Sequence, residues 1–321
     1  MQLGLFTPVF NSLSFDALLT ELKRYPEIST LELGTGGWPG GSHLNLDALL
    51  ASKSAAADFL AKLRDADLTI SALSCHNNPV HPNPEIAQRD DTTLRKTVQL
   101  AESLEVPVVV TFSGCPGASA QDTVPNWITT SWPPEYSEAL AWQWEERLIP
   151  YWKDTVGFAA KAGVKIALEA HPGFCVYNVE TMLRLRAAAG PSLGINLDPS
   201  HLWWQGVDIP AAIAALGDAI FHVHAKDTQI FSANLPLTGV LDTKPYTDER
   251  HRSWIFRTCG YGHGSEWWKE FVSTLRMFGY DGVLSIEHED SLLSPEEGLR
   301  KAAQFLSEIV IKEQPSAPWW V

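Results

Sequence analysis

Excess positive charge is missing from this chain, which sets 24 lysines and arginines against 38 aspartates and glutamates for a formal net charge of −14. With no basic run to offset that balance locally, the surface repels nucleic acid, and a nucleic-acid enzyme is not expected. Long apolar runs are missing too: nothing in the 321 residues approaches a membrane span, and the opening MQLGLFTPVF has neither a basic leader nor a long apolar core. Cysteine is scarce. The four present, Cys75, Cys115, Cys175 and Cys259, include no CxxC pair, which argues against a zinc ribbon and suits free thiols in a reducing compartment. Together these absences predict a cytoplasmic protein with no membrane partner. No repeat, low-complexity tract or composition break divides the chain, so one domain over residues 1–321 is expected, ending in a tail at 314–321.

What is present is alternation. Short apolar runs that read as strands fall at about residues 2–6, 29–33, 68–74, 107–112, 164–170, 192–197, 219–225 and 282–288. Between them lie segments of helical periodicity such as FDALLTELKRY from Phe15, LDALLASKSAAADFLAKLRDA from Leu46 and EIAQRDDTTLRKTVQLAESL from Glu85. Eight such alternations predict an α/β fold closed as a (β/α)8 TIM barrel rather than an open sheet. Two connections exceed the usual length of about two to six residues, one after strand four (113–136) and one after strand seven (228–264). Both leave the C-terminal face of the barrel and are expected to wall or cover a pocket there.

Four residues stand at or just past the C-terminal ends of successive strands: Glu169 in VKIALEAHPG, Asp198 in SLGINLDPSH, His224 in AIFHVHAKD and Glu287 in GVLSIEHED. Barrel active sites collect at that end. A carboxylate on a strand buried on both faces is costly unless it is paired, hydrogen-bonded or bound to a cation. Any one of the four alone reads equally as a strand-end salt bridge or, for Asp198 before Pro-Ser-His201, a helix N-cap; the set predicts a divalent-metal site. His222 and His224 share a strand face, and His224, nearer the C-terminal end, is the expected ligand, His222 being either a second functional group or a core histidine. A carboxylate-rich set with one imidazole suits Mn²⁺ or Mg²⁺ better than structural zinc. Trp38, Trp127, Trp132, Trp203, Trp204 and Trp254 also fall in C-face segments, either as lid or interface packing or as an aromatic platform for a sugar. Trp319 and Trp320 in the tail are expected to dock onto a barrel helix or a neighbouring subunit.

The order EAHPG, NLDPSH, HVHAKD, IEHED, with the opening GLFT, LELG at strand two, CHNNPVHP from Cys75 and YGHGSEWWKEF from Tyr261, resembles the xylose-isomerase-like TIM-barrel superfamily of sugar isomerases and epimerases. The resemblance covers most of the chain. It implies that Glu169, Asp198, His224 and Glu287 hold one divalent cation, most often Mn²⁺, with Mg²⁺ or Co²⁺ as alternatives, and that His201 faces the substrate. Lys226 and Asp227 match an HxKD pattern of inositol- and oxo-sugar-handling members, either as substrate contacts or as a salt bridge orienting His224. His76 is either a substrate contact or a ligand to a second metal, and Arg257, His263 and Trp38 are expected sugar contacts. The Arg-containing segment that directly follows the strand-seven histidine in ketose 3-epimerases is missing here.

The expected activity is isomerisation or epimerisation of a free ketose or related polyol through an enediolate, with Glu169 and Glu287 as the proton-transferring pair. The alternative is elimination from a 3-oxo-glycoside or inosose at the same site, by a lyase or hydratase. A third class, a non-catalytic sugar-binding protein, would not need all four ligands. Few basic residues in the C-face loops argue against phosphorylated substrates. The expected partners are a small sugar and, from the resemblance, a second copy of the chain in a dimer.

Overall fold

Strands buried on both faces, each carrying its polar residues at or inside one end, build the centre of the molecule. The computed structural model describes residues 1–317, 319 and 320. Eight parallel strands close a barrel: β1 (Gln2–Phe6), β2 (Thr30–Gly34), β3 (Thr69–Ser74), β4 (Val108–Phe112), β5 (Lys165–Glu169), β6 (Leu193–Leu197), β7 (Ile220–Ala225) and β10 (Val283–Ile286). All eight lie at the positions the apolar runs predict. Between β7 and β10 the chain adds an antiparallel pair, β8 (Asp227–Ile230) and β9 (Trp254–Arg257), with Thr228 opposite Phe256 and Ile230 opposite Trp254. This hairpin is not among the predicted strands.

Helices on the outside start where side chains can satisfy their free N–H groups. Asn83 caps Pro84–Ser103 by accepting from the Glu85 N–H, and Asn178 forms a capping box with Thr181 at the start of Val179–Ala189. The periodic segment from Leu46 is two helices, Leu46–Ala51 and Lys53–Asp65, because the Ser52 hydroxyl accepts from the Ala55 N–H and starts the second one afresh. Trp144, Trp152 and Trp268 are fully buried between the helices and the barrel wall. Gly194 on β6 has no room for a side chain, since a Cβ there would overlap the Ala219 carbonyl and the Phe221 ring.

The connection after β4 folds back on itself instead of walling the mouth. The Gln143 side-chain amide donates to the carbonyls of Pro116, Gly117 and Asn126, and the Asp122 carboxylate gathers the N–H groups of Ala118 and Ser119. Trp319 and Trp320 are 89% and 71% exposed, so the expected docking onto a barrel helix is not seen; Pro318 and Val321 of the tail lie outside the described residues. Among the described residues no helix is long and apolar enough to cross a membrane.

Candidate metal centre

In the closed barrel β5, β6, β7 and β10 are consecutive neighbours, so the residues at their C-terminal ends form one arc along the rim. Glu169 ends β5, Asp198 follows β6, His224 lies on β7 and Glu287 follows β10. One ligand atom from each of these four lies within 4.8 Å of the others, and all four residues are buried. Asp198 uses Oδ1 to cap the short helix Pro199–Trp203, accepting from the Ser200 N–H at 2.8 Å, which leaves Oδ2 aimed into the arc without a hydrogen bond. The Nδ1 of His224 is also buried without a hydrogen bond, 2.9 Å from Glu287 Oε2 and 3.3 Å from Glu169 Oε2. Unsatisfied buried polar atoms are rare and costly. Two of them converging on two more carboxylates fit a divalent cation, so the donor set passes that test.

The ring of His224 is fixed from its other side by a residue that sequence reasoning left out of the site. Glu32, in the middle of β2, is fully buried inside the barrel, and its Oε2 accepts from His224 Nε2 at 2.8 Å and from the Ser285 hydroxyl at 2.9 Å. Ser74 on β3 donates to its other oxygen. Burial alone would raise the Glu32 carboxyl; the imidazoles of His224 and His222 outweigh it and bring the group down to about 2. With Nε2 committed as a donor, the lone pair of His224 is presented at Nδ1, toward the arc. Glu32→Gln, which weakens that acceptor, should therefore lower divalent-cation affinity by about 10–100-fold; titration of the chelator-stripped protein with Mn²⁺ reads this directly, and an unchanged affinity would remove Glu32 from the site.

Positive charge inside the arc comes from Lys226. Its Nζ lies 2.8 Å from Glu287, 3.0 Å from Glu289, 3.1 Å from Asp198 Oδ2 and 3.2 Å from His201 Nε2, with the Phe256 ring beneath it at 4.7 Å. The Asp198 contact is an ion pair without hydrogen-bond geometry, consistent with its unsatisfied Oδ2. Burial would discharge the ammonium, but Asp198, Glu287 and Glu289 hold Lys226 charged, well above its usual range. Glu169 is drawn well below the carboxylate range against its own burial by His201, His224 and His76. His201, 3.1 Å from Glu169, is pushed down to about 4 by burial and by Lys226, and is neutral near pH 7. His76 Nε2 reaches Glu169 Oε2 at 3.0 Å. His222 bonds Asn196 at 3.0 Å below the rim and is likewise held down to about 4, chiefly by burial, as a core histidine.

Above the arc opens a cavity of about 670 Å³. Glu169, Glu287, Lys226 and His76 reach its floor, and Trp38, Phe112, Phe174, Tyr246 and Phe256 supply apolar walls. Tyr246 and Phe256 come from the long excursion after β7, which does wall the pocket as expected. That excursion is clamped by buried Arg252, whose guanidinium lies 4.3 Å from the Tyr246 ring and 4.7 Å from Trp254 and donates to the Lys244 and Trp254 carbonyls. His171, Phe174 and Glu289 line the cavity without having been singled out; His171 and Glu289, two residues past Glu169 and Glu287, carried a usable signal in their spacing.

His201, expected to face the substrate, is buried beside Glu169 and does not line the cavity, and three further expected contacts are placed elsewhere. Asp227 is buried and accepts from the N–H groups of Gly260, Gly262 and His263 and from His263 Nδ1 at 2.7 Å, so its carboxylate ties down the chain after β9. His263 is spent on that bond and on stacking against Trp267 at 4.6 Å. Arg257 pairs with Asp290 at 3.1 Å and donates to Gln229 at 2.5 Å. None of the three is on the cavity wall. Of the rim tryptophans only Trp38 lines it; Trp204 and Trp254 stack on each other at 4.6 Å, and Trp127 lines a separate, smaller cavity.

A family model described as xylose isomerase-like TIM barrel matches residues 29–309. The Bacillus subtilis (strain 168) protein YfiH is 43% identical over 313 residues, 97% of this chain and 99% of that one. An inosose isomerase of Halalkalibacterium halodurans is 32% identical over 156 residues, which is 47% of this chain and 49% of that one. The crystal structure of an IOLI protein with a bound zinc atom superposes with a TM-score of 0.64 at 21% identity, covering 97% of this chain and 98% of that one.

Proposed function

Because this chain belongs to the xylose isomerase-like TIM barrel family, we propose that it is a divalent-metal-dependent isomerase or epimerase of a ketose or related polyol. The observation that carries the reading is the convergence of two unsatisfied buried ligand atoms, Asp198 Oδ2 and His224 Nδ1, with two carboxylates at the floor of a cavity. Glu169, Asp198, His224 and Glu287 hold the cation, and the preponderance of carboxylate favours Mn²⁺, with Mg²⁺ or Co²⁺ as substitutes. Bound there, the cation supplies Lewis acidity that draws electrons from a substrate carbonyl and acidifies the adjoining C–H. Glu169 and Glu287 stand at the two ends of the arc, with β6 and β7 between their strands, so they address a bound substrate from two sides. One removes the proton and the other returns it, as an epimerisation requires. Lys226 and His76 hold substrate oxygens from the floor, His201 keeps Glu169 in place, and Trp38 covers an apolar sugar face.

The size of the cavity favours a second reading. A free hexose, about a dozen heavy atoms each taking less than the ~30 Å³ of a liquid water, needs under roughly 360 Å³. A cavity of about 670 Å³ with aromatic walls leaves room for a second ring. A 3-oxo-glycoside would place its oxo-sugar over the arc and its other group against Phe112, Phe174 and Tyr246, and removal of the same proton would then expel that group. An inosose losing water is the smaller version of this chemistry.

Proton NMR of the Mn²⁺-loaded protein in D₂O with ketoses, inososes and 3-oxo-glycosides tests both readings. Deuterium incorporation with a new isomer or epimer supports the first, and release of water or an aglycone supports the second. No exchange on any of them, with cation bound, sinks both. Cation uptake carries its own signature. Burial would discharge His224, but Glu32 and Glu287 outweigh it and raise the imidazole well above its usual range, so without cation it carries a proton near pH 7. A cation needs the Nδ1 lone pair and must expel that proton, so apparent affinity should rise about tenfold per pH unit below the raised value. Calorimetry in buffers of different ionisation enthalpy counts the proton, and a pH-independent affinity would show that His224 is neutral beforehand.

A further inference from the structure

A second cavity, of about 170 Å³, is lined by Cys115, Cys175, Trp127, Trp144, Tyr177 and Arg184. Cys115 lies just past β4 and Cys175 just past β5, on neighbouring rim connections. The Cys175 N–H donates to the Gly114 carbonyl at 3.0 Å. That bond ties Cys175 to the residue that precedes Cys115, so the two connections meet at the cysteines. A disulfide spans Cα atoms about 4.4–6.8 Å apart, a separation within reach of two cysteines joined through one backbone hydrogen bond and lining one cavity. Both are free thiols, and the influence of each side chain on the other lowers Cys115 and raises Cys175. Cys115 is thus the readier thiolate, and the thiolate is the nucleophile. The cavity exceeds by far the ~10–15 Å³ that a water molecule needs, so a small peroxide has room beside both sulfurs. Cys75 and Cys259 present the opposite case: burial raises Cys75 to about 12 and Cys259 well above its usual range, and neither lines this cavity.

We propose that Cys115 and Cys175 are a redox pair that hydrogen peroxide closes into a reversible disulfide, tying the β4 connection to the β5 connection. The Cys115 thiolate attacks one peroxide oxygen and the O–O bond breaks, leaving a sulfenic acid and a hydroxide that takes up a proton as water. The Cys175 sulfur then attacks the sulfenic sulfur, the S–O bond breaks, and a second water leaves with the Cys175 proton. Two thiols lose two electrons, and one peroxide becomes two waters. A dithiol reverses the change. The β5 connection also carries His171 and Phe174 of the main cavity wall, and Phe174 stacks on Phe112 of β4 at 4.2 Å. The bond therefore immobilises one side of the pocket.

The test is a thiol count and a peptide map of the full chain after peroxide treatment. Thiols accessible after denaturation should fall from the four present to two, with a single cross-linked peptide pair containing Cys115 and Cys175, and dithiothreitol should restore all four. In Cys175→Ser, Cys115 should stop at a sulfenic acid that dimedone traps, whereas Cys75→Ser and Cys259→Ser should still form the bridge. Amide exchange across residues 171–178 should slow in the oxidised protein. Retention of all four thiols under peroxide that oxidises glutathione would overturn the proposal. So would over-oxidation of Cys115 without a cross-link, and a bridge that leaves exchange at 171–178 unchanged would overturn the immobilisation.

Discussion

Glu169→Gln should slow exchange of the substrate C–H by about 10²–10⁴-fold, the usual worth of a positioned general base, while leaving KM within a few-fold. The carboxylate is 2% exposed, held ionised by His76, His201 and His224, and steadied by the Asn196 amide at 3.1 Å. The amide keeps the shape of the side chain and loses the base. Glu169 is also proposed as a ligand, so a weakened cation site must be separated from a lost base. Asp198→Asn provides the comparison, because Asp198 is a proposed ligand that does not line the cavity. Its defect should recover at saturating Mn²⁺, whereas that of Glu169→Gln should persist with the cation measured in place. If both recover together, Glu169 only binds metal, and the proton belongs to Glu287 or to another group.

Lys226→Met should cost the chelator-treated protein about 3–5 kcal/mol of stability, the usual penalty for stranding one side of a buried ion pair. Lys226 is 1% exposed and is the ammonium shared by Asp198, Glu287 and Glu289, three carboxylates that become mutually repulsive without it. Methionine fills much of the same volume, so the loss reports charge rather than a cavity. A divalent cation in the arc supplies replacement charge and should recover most of the difference. Urea unfolding of both proteins, with chelator and with saturating Mn²⁺, gives the four numbers needed. An equal loss in the two conditions would mean that Lys226 packs and does not balance the carboxylates.

The eight barrel strands were readable because each is a short branched-apolar run ending in polar residues, a pattern that a strand buried on both faces imposes. The four arc residues were readable for the same reason, each lying where an apolar run gives way to polarity. Glu32 was not, since it sits inside LELG rather than past its end. The available clue was a lone carboxylate between two leucines of a fully buried strand, which has to find a partner inside the barrel. The β8–β9 hairpin escaped because its strands are four residues long and separated by 23 irregular or briefly helical residues, 231–253. Asp227 was singled out by the HxKD pattern, and Arg257 and His263 looked like sugar contacts because they lie near that excursion. Chain direction does not reveal that the carboxylate turns back to collect the amides of Gly260, Gly262 and His263.

The bond from Glu32 to His224 runs through the inside of the barrel, from β2 to β7, past the intervening β1 and β10. Its anchors, Ser74 and Ser285, are strand residues as well. The proposed grip on a cation is therefore stored in the cylinder, while the walls of the cavity above it include connections clamped by their own residues, as Arg252 clamps the excursion after β7. The two can diverge separately. A graft that exchanges the rim connections of this barrel for those of another should keep the proposed metal seat as long as Glu32, Ser74, Ser285 and the four arc residues stay, so a change of pocket wall need not disturb it.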